Sequence, residues 1–286
     1  MKLPPFELHS PASVEEATAL LERYGDEAAA YCGGTELLLL MKLGFAEPSH
    51  LVDVKGIAEL HGLEVENGLL TIGAAETHRA IERSPLVRER WPALAEMERS
   101  VANVRVRDAG SLGGNLCFSD PHSDPATFLL AANGEVVLRR GRHGERTLPV
   151  RDFVLGPYET ALQSGELLAA VRVPELPPGG ALAHRKLAFQ ERPAVTVSCL
   201  VRLEAGRVAE ARLAVGSVGV VPVRVHEAEE ALLGSPGDDA IEAAGVAAAE
   251  ASAPVADANG SVEYKRNLVR VLVGRTFRDA LARAAA

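Results

Sequence analysis

The sequence predicts an α+β chain organised as two domains, and three observations carry that prediction. Residues 13–54 alternate helix and strand around a glycine turn, Gly33-Gly34. A proline- and glycine-dense stretch, Pro174 to Gly180 (PELPPGG), interrupts the pattern. Beyond it come strands of alternating apolar residues and then a helical tail, the mark of an antiparallel sheet covered by helices. The expected division is a first domain over 1–175, with subdomains of about 1–56 and 57–175, and a second over 181–286.

Ser13 to Tyr24 reads as a helix, with Ser13 and Glu16 spaced as a capping box, Ala17, Leu20, Leu21 and Tyr24 on one face, and Gly25 as the stop. A short strand, Ala28 to Cys32, leads to the glycine pair. Thr35 is placed to cap a helix from Glu36 to Leu43, ended by Gly44, and His50 to Val54 reads as a strand. In the second unit the strands are Leu69 to Gly73, Glu135 to Arg139 and Leu167 to Val173. Thr77 is placed to cap a short helix, Pro92 to Glu98 reads as another, and Ser123-Asp124-Pro125 has the order of a helix start running to Asn133-Gly134. Ser111 to Asn115 reads as a loop. After the boundary, strands are expected at His184 to Phe189, Val195 to Leu203 and Val208 to Val215, and helices at Val225 to Leu233, Asp238 to Ala251 and Val262 to Ala284.

Composition narrows the function. A net charge of −9 argues against a nucleic-acid partner, which would require a basic face. The one basic run, Arg139-Arg140-Gly141-Arg142, reads as a solvated loop. No apolar run approaches a membrane span, and Met1 to Pro5 has no apolar core or cleavage site, so neither an anchor nor a signal peptide is expected. Three separated cysteines, Cys32, Cys117 and Cys199, form no Cys-x-x-Cys pair and fit a reducing cytoplasm. The eight histidines are scattered without ligand spacing, so no metal site is expected on this chain.

Two glycine pairs are the best functional signals. Gly33-Gly34-Thr35-Glu36, at a strand-to-helix turn, could offer free amides and a helix N-terminus to a phosphate, or could be an ordinary tight turn. In Ser111-Leu112-Gly113-Gly114-Asn115, the glycine amides could line a pyrophosphate with Ser111 and Asn115 adding side-chain hydrogen bonds; a structural bulge is the alternative. Asp124 could accept from a ribose or adenine, or simply cap its helix. Lys186 could balance charge on a reduced cofactor, or be a surface lysine. His78 and His122 have no evident partner in the sequence.

In order along the chain, Tyr31-Cys32-Gly33-Gly34-Thr35-Glu36-Leu37, Thr71 to His78, Val104 to Asn115, Asp120-Pro121-His122-Ser123-Asp124, Gly156 to Thr160, Glu166-Leu167-Leu168, Arg185-Lys186-Leu187, Gly216 with Pro222-Val223-Arg224, and Glu263 to Arg266 match a known pattern. Together they resemble the FAD-binding (medium) subunit of the molybdenum hydroxylases, the xanthine dehydrogenase and aerobic carbon monoxide dehydrogenase group. The resemblance implies a two-subdomain FAD-binding domain of the vanillyl-alcohol-oxidase (PCMH) type, followed by a small α+β C-terminal domain. It implies noncovalent FAD, with Ala30, Tyr31, Cys32, Gly33, Gly34, Thr35, Glu36 and Leu37 forming one loop around the pyrophosphate and Ser111, Leu112, Gly113, Gly114 and Asn115 the other. Asp124 would bond polar groups of the cofactor, while Leu168 and Lys186 would approach the flavin end. Cys32 stands where the family commonly has alanine, and no cysteine-rich insertion signals an extra iron–sulfur cluster. The molybdenum cofactor would sit on a large partner subunit and [2Fe-2S] clusters on a small one. Electrons would leave to NAD, a quinone, oxygen or a carrier protein, so no residue here has a strict catalytic role. A stand-alone FAD oxidoreductase of the same superfamily and a flavin-free assembly subunit are the alternatives. Gly114→Val is expected to abolish FAD binding.

Overall fold

The structure, a computed structural model, describes residues 2–142 and 144–286; Met1, at the head of the segment read for a leader, lies outside the described residues. The N-terminal unit holds three short parallel strands, with His50–Asp53 between Glu7–His9 and Ala28–Tyr31. Strand Glu7–His9 is too short to stand out in the sequence. The parallel pairing sets Glu7, His9 and His50 side by side, a grouping that their linear spacing hides. Helix Val14–Tyr24 is capped as expected: the Ser13 hydroxyl accepts the Glu16 amide at 3.2 Å, and the Glu16 carboxylate reaches back to the Ala12 amide at 2.8 Å. Helix Leu37–Leu43 departs from expectation. Its N-cap is Glu36, without a side-chain cap bond, so Thr35 does not cap it.

The second unit is a five-stranded antiparallel sheet, ordered Leu63–Glu66, Leu69–Gly73, Leu167–Pro174, Glu135–Arg140, Gly144–Pro149. Val171 pairs with Ile72 on one side and Val136 on the other, and all three are fully buried. Alternate residues therefore point into one core, under a layer of short helices that includes Pro92–Ser100 and Asp124–Ala132. The edge strands Leu63–Glu66 and Gly144–Pro149 escaped the sequence reading because their exposed residues break any apolar run. The basic run is a solvated loop only at Gly141 and Arg142, which form a turn with the Arg142 side chain exposed. Arg139 and Arg140 end a strand, and Arg139, Arg140 and Arg142 pair with Glu59, Glu22 and Glu15, fastening helix Val14–Tyr24 to the second unit.

Past Pro174 the chain builds a four-stranded antiparallel sheet: Gly180–Ala188, Pro193–Glu204, Arg207–Gly216 and Val223–Arg224. Ala205 and Gly206, both at positive φ (48° and 75°), make the tight hairpin between its central strands. Helices His226–Ala231, Asp238–Ala251 and Val262–Ala284 cover one face. The other face, through Leu182, Leu200 and Ala214, joins the core around Phe128. Helix Asp124–Ala132 thus lies between two sheets. All nine of its residues are buried, which explains an apolar surface on every side.

A cleft between two glycine turns as the candidate functional site

Strand Ala28–Tyr31 is held to the end by a bond from the Val54 amide to the Tyr31 carbonyl at 2.9 Å, and the chain then turns sharply. Gly33 lies flat against residues 109–110: a Cβ there would collide with the Ala109 carbonyl and stand 2.7 Å from Gly110 Cα. Gly34 takes φ +67°, the left-handed region that disfavours a side chain. Among the described residues, no protein acceptor takes the main-chain amides of Gly34, Thr35, Glu36 or Leu37. Consecutive free amides at a turn make an anion-binding concavity. Lys55 Nζ sits 3.7 Å from the Tyr31 ring centroid, where the Asp53 carboxylate, at 2.9 Å, pairs with its charge.

The opposite wall is not the loop expected from the sequence. Leu112–Phe118 is a helix, and Ser111 is its N-cap, accepting the Gly114 amide at 3.1 Å. The Gly113 amide donates to the Ala74 carbonyl at 3.0 Å, and the Leu112 amide to the Glu76 carbonyl at 3.0 Å. The glycine amides of this turn are therefore already committed, and they are not the free donors that the sequence suggested. Gly113 is required by packing, because a Cβ would lie 2.6 Å from Ala74 Cβ and 2.7 Å from its carbonyl oxygen. A Cβ on Gly114 would meet only Ser111 Oγ, at 2.9 Å, so Gly114→Val would act by displacing the cap. This wall offers a ligand the Ser111 hydroxyl proton and the Asn115 amide group, whose oxygen is held by Ser123 Oγ at 2.7 Å. Ser111→Ala should lose about 1 kcal/mol of stability through the cap. It should also weaken cofactor retention; denaturant titration and flavin content read the two effects separately.

At the far end Asp124 and Lys186 are paired with each other, Nζ to Oδ2 at 2.7 Å. Asp124 Oδ1 and His184 Nε2, 3.4 Å apart, are both buried without a hydrogen-bond partner. A chain of polar contacts runs from buried Lys265 through Asp257, His122 and Asp120 to Arg192 and Glu36, the last four lining the cleft. His122 and His78 do have partners. His122 lies between Asp120 (3.2 Å) and Asp257 (3.4 Å), and buried His78 places Nδ1 2.6 Å from Glu98 Oε2.

Electrostatics follow this geometry. Burial pushes the Glu36 carboxyl up, only partly offset by Arg192. Burial also pushes Asp120 up, but hydrogen bonds from His122 and the Arg192 charge outweigh it and hold the group below the usual carboxylate range. In Asp257 the same burial is outweighed by Lys265 and the Asn259 amide. Both lowered groups contribute stability that is complete above about pH 4 and lost as pH falls through their folded values. Denaturant midpoints measured between about pH 6 and pH 3 should therefore fall less steeply for Asp257→Asn than for the parent chain. Burial raises the Cys32 thiol and takes Cys117 up to about 12, so both cleft cysteines are protonated and poorly nucleophilic at neutral pH.

The cleft has a volume of about 310 Å³, and the two subdomains wall it together. Of the residues expected to form the site, all but Leu112 and Lys186 line it. Leu112 is fully buried in the core beneath, and Lys186 lies outside the lining, bonded to Asp124. Sequence reasoning missed Cys117, Phe118 and residues 191–193, in the connection that leads into strand Pro193–Glu204, which also line it. Ala74, His78, Gly110, Asp120, His122 and Leu167 also line the cleft and fall in segments that the resemblance marked, whereas no such segment covers Cys117, Phe118 or residues 191–193.

A family described as "FAD binding domain in molybdopterin dehydrogenase" matches residues 4–176, and "CO dehydrogenase flavoprotein C-terminal domain" matches residues 183–280. The chain belongs to the FAD-binding medium-subunit family of the molybdenum hydroxylases. It is 35% identical over 285 residues to the carbon monoxide dehydrogenase medium chain of Hydrogenophaga pseudoflava, covering 99% of each chain. It is 34% identical to the nicotine 6-hydroxylase medium subunit of Paenarthrobacter nicotinovorans, over 99% of this chain and all of that one. In structure it is similar, at TM-score 0.94 and 28% identity over the full length of both, to quinoline 2-oxidoreductase of Pseudomonas putida 86. As a medium subunit the chain is an oxidoreductase component with an α+β FAD-binding fold. Its residues fit the cofactor on their own geometry: free amides at Gly34 to Leu37, a turn that excludes a Cβ at Gly33, and an orphaned buried carboxylate oxygen on Asp124.

Proposed function

We propose that this medium subunit is the electron-transfer flavoprotein of a molybdenum hydroxylase complex, receiving electrons from iron–sulfur clusters on a small partner subunit and passing them to an external acceptor. The observation that carries the reading is the run of unpaired amides at Gly34 to Leu37, facing the Ser111 and Asn115 side chains across the cleft. FAD supplies there a redox centre that can exchange electrons singly or in pairs. The protein's part is positional. The Gly34 to Leu37 amides hold the pyrophosphate charge, the Ser111 hydroxyl and Asn115 amide donate from the other wall, and Leu168 gives an apolar surface near the flavin. Asp124, fixed by Lys186, lines the cleft and would bond polar groups of the cofactor.

The relatives' description as medium chains supports large and small partner subunits, with the molybdenum cofactor on the first and [2Fe-2S] clusters on the second. The wide spacing of Cys32, Cys117 and Cys199, all free thiols, supports a cytoplasmic location. No helix among the described residues is long and apolar enough to cross a membrane. The test is copurification with metal and flavin analysis, followed by rapid-mixing reduction. Molybdenum and iron should follow the partner chains, flavin should follow this one, and substrate should reduce flavin in the complex but not in the isolated chain. Reduction of the isolated chain by substrate would favour a stand-alone oxidoreductase. A complex without flavin would defeat the proposal outright.

A further inference from the structure

We infer that Glu7, His9 and His50 form a binding site for a divalent transition-metal ion, zinc by its donor chemistry, across the parallel strands Glu7–His9 and His50–Asp53. One ligand atom from each residue lies within 4.8 Å of the others. His9 Nε2 is 3.0 Å from His50 Nδ1, and Glu7 Oε2 is 3.7 Å from the same nitrogen. Four-coordinate zinc with bonds of about 2.0–2.1 Å separates its ligand atoms by about 3.3–3.4 Å. One of these distances is shorter and the other longer than that value, so seating an ion requires side-chain rotations that turn the two ring nitrogens and the exposed carboxylate onto a common point.

The placement is fixed by the backbone. Glu7 and His9 are two apart on one strand and so share a face, and Glu7 is the register partner of His50. The Tyr24 ring stacks on the His50 ring at 3.7 Å between centroids, which holds the imidazole plane. Both histidines are largely buried while Glu7 is open to solvent. That arrangement leaves an entry path and a fourth position for water. Two imidazoles and one carboxylate suit zinc; calcium and magnesium require oxygen ligands throughout. None of the three residues lines the FAD cleft. Zinc there ties the three-residue edge strand Glu7–His9 to His50–Asp53, which in turn pairs with the strand leading into the Gly33-Gly34 turn.

The test uses the full-length, tag-free, FAD-loaded chain, stripped with chelator and equilibrated against zinc chloride. Retained zinc is measured by mass spectrometry and affinity by calorimetry. About one zinc per chain is expected at pH 7.5. His9→Gln and His50→Gln should each weaken binding about ten-fold or more. Glu7→Gln alters only an exposed side chain and so tests the site where a histidine variant fails to fold. His226→Gln, on the exposed start of a distant helix, should bind as the parent does. Circular dichroism and flavin content report the fold of each variant. Absence of zinc from the folded parent chain, or equal retention by parent and Glu7→Gln, overturns the inference.

Discussion

Gly33→Ala is expected to give a chain that folds but purifies almost free of FAD. The added Cβ would strike the Ala109 carbonyl and stand 2.7 Å from Gly110 Cα, and both neighbours are main chain that no rotamer change can clear. The turn must move off the 109–110 segment, and overpacking of this kind costs about 1–3 kcal/mol. The shift falls on the turn whose free amides face the pyrophosphate, so affinity should drop about a hundred-fold, the equivalent of roughly 2.8 kcal/mol. Gly56→Ala is the control: nothing lies within 4 Å of its added Cβ, and its backbone is not left-handed. Flavin-to-protein absorbance after gel filtration, with a urea melt on the same sample, gives both readouts. Parent-level flavin in Gly33→Ala would show that the turn does not hold the cofactor as described.

Lys186→Met should destabilise the chain by about 3 kcal/mol, the lower end of the range for stripping a partner from a buried ion pair. Asp124 is only 4% exposed, and without Lys186 the ring of His184, 3.4 Å away, is the one remaining ion-pair partner given for it among the described residues. The lower end is appropriate because the Lys186 side chain keeps 16% of its exposure and so was never fully desolvated. Asp124→Asn combined with Lys186→Met should recover much of the loss, since the double variant leaves no lone buried charge. Equilibrium denaturation of the parent, both single variants and the double variant completes the cycle. A Lys186→Met loss within the range of ordinary surface substitutions, or a double variant no better than the worse single one, would contradict the account.

Much of the fold was legible in the sequence, and the failures share a cause. Helix Val14–Tyr24 announced itself through Ser13 and Glu16, and strand Pro193–Glu204 through its period-two apolar pattern, because both signals are local. Leu112–Phe118 read as a loop because a glycine pair weakens a helix by about 1 kcal/mol per residue. Close packing of Gly113 on Ala74 overrides that propensity, and nothing near residue 113 reveals it. The cleft residues followed the same rule. Both glycine turns were found, but which one keeps its amides free depends on the Ala74 and Glu76 carbonyls across the sheet end. Asp124 and Lys186 each had a separate candidate role because a pairing across 62 residues leaves no trace in either neighbourhood. His78 lacked an evident partner for the same reason, its carboxylate being supplied by another helix.

The helix Asp124–Ala132 has a consequence for how the molecule is made. On the ribosome it emerges, and can dock on its own sheet, well before the strands that contain Leu182, Leu200 and Ala214 exist. For that interval one side of a mostly apolar helix faces water, and the Asp124 carboxylate awaits Lys186. The nascent chain therefore exposes an aggregation-prone surface until the later sheet closes over it. Either half produced alone carries the same bare surface for good, so the two halves must be expressed as one polypeptide, or together, to remain soluble.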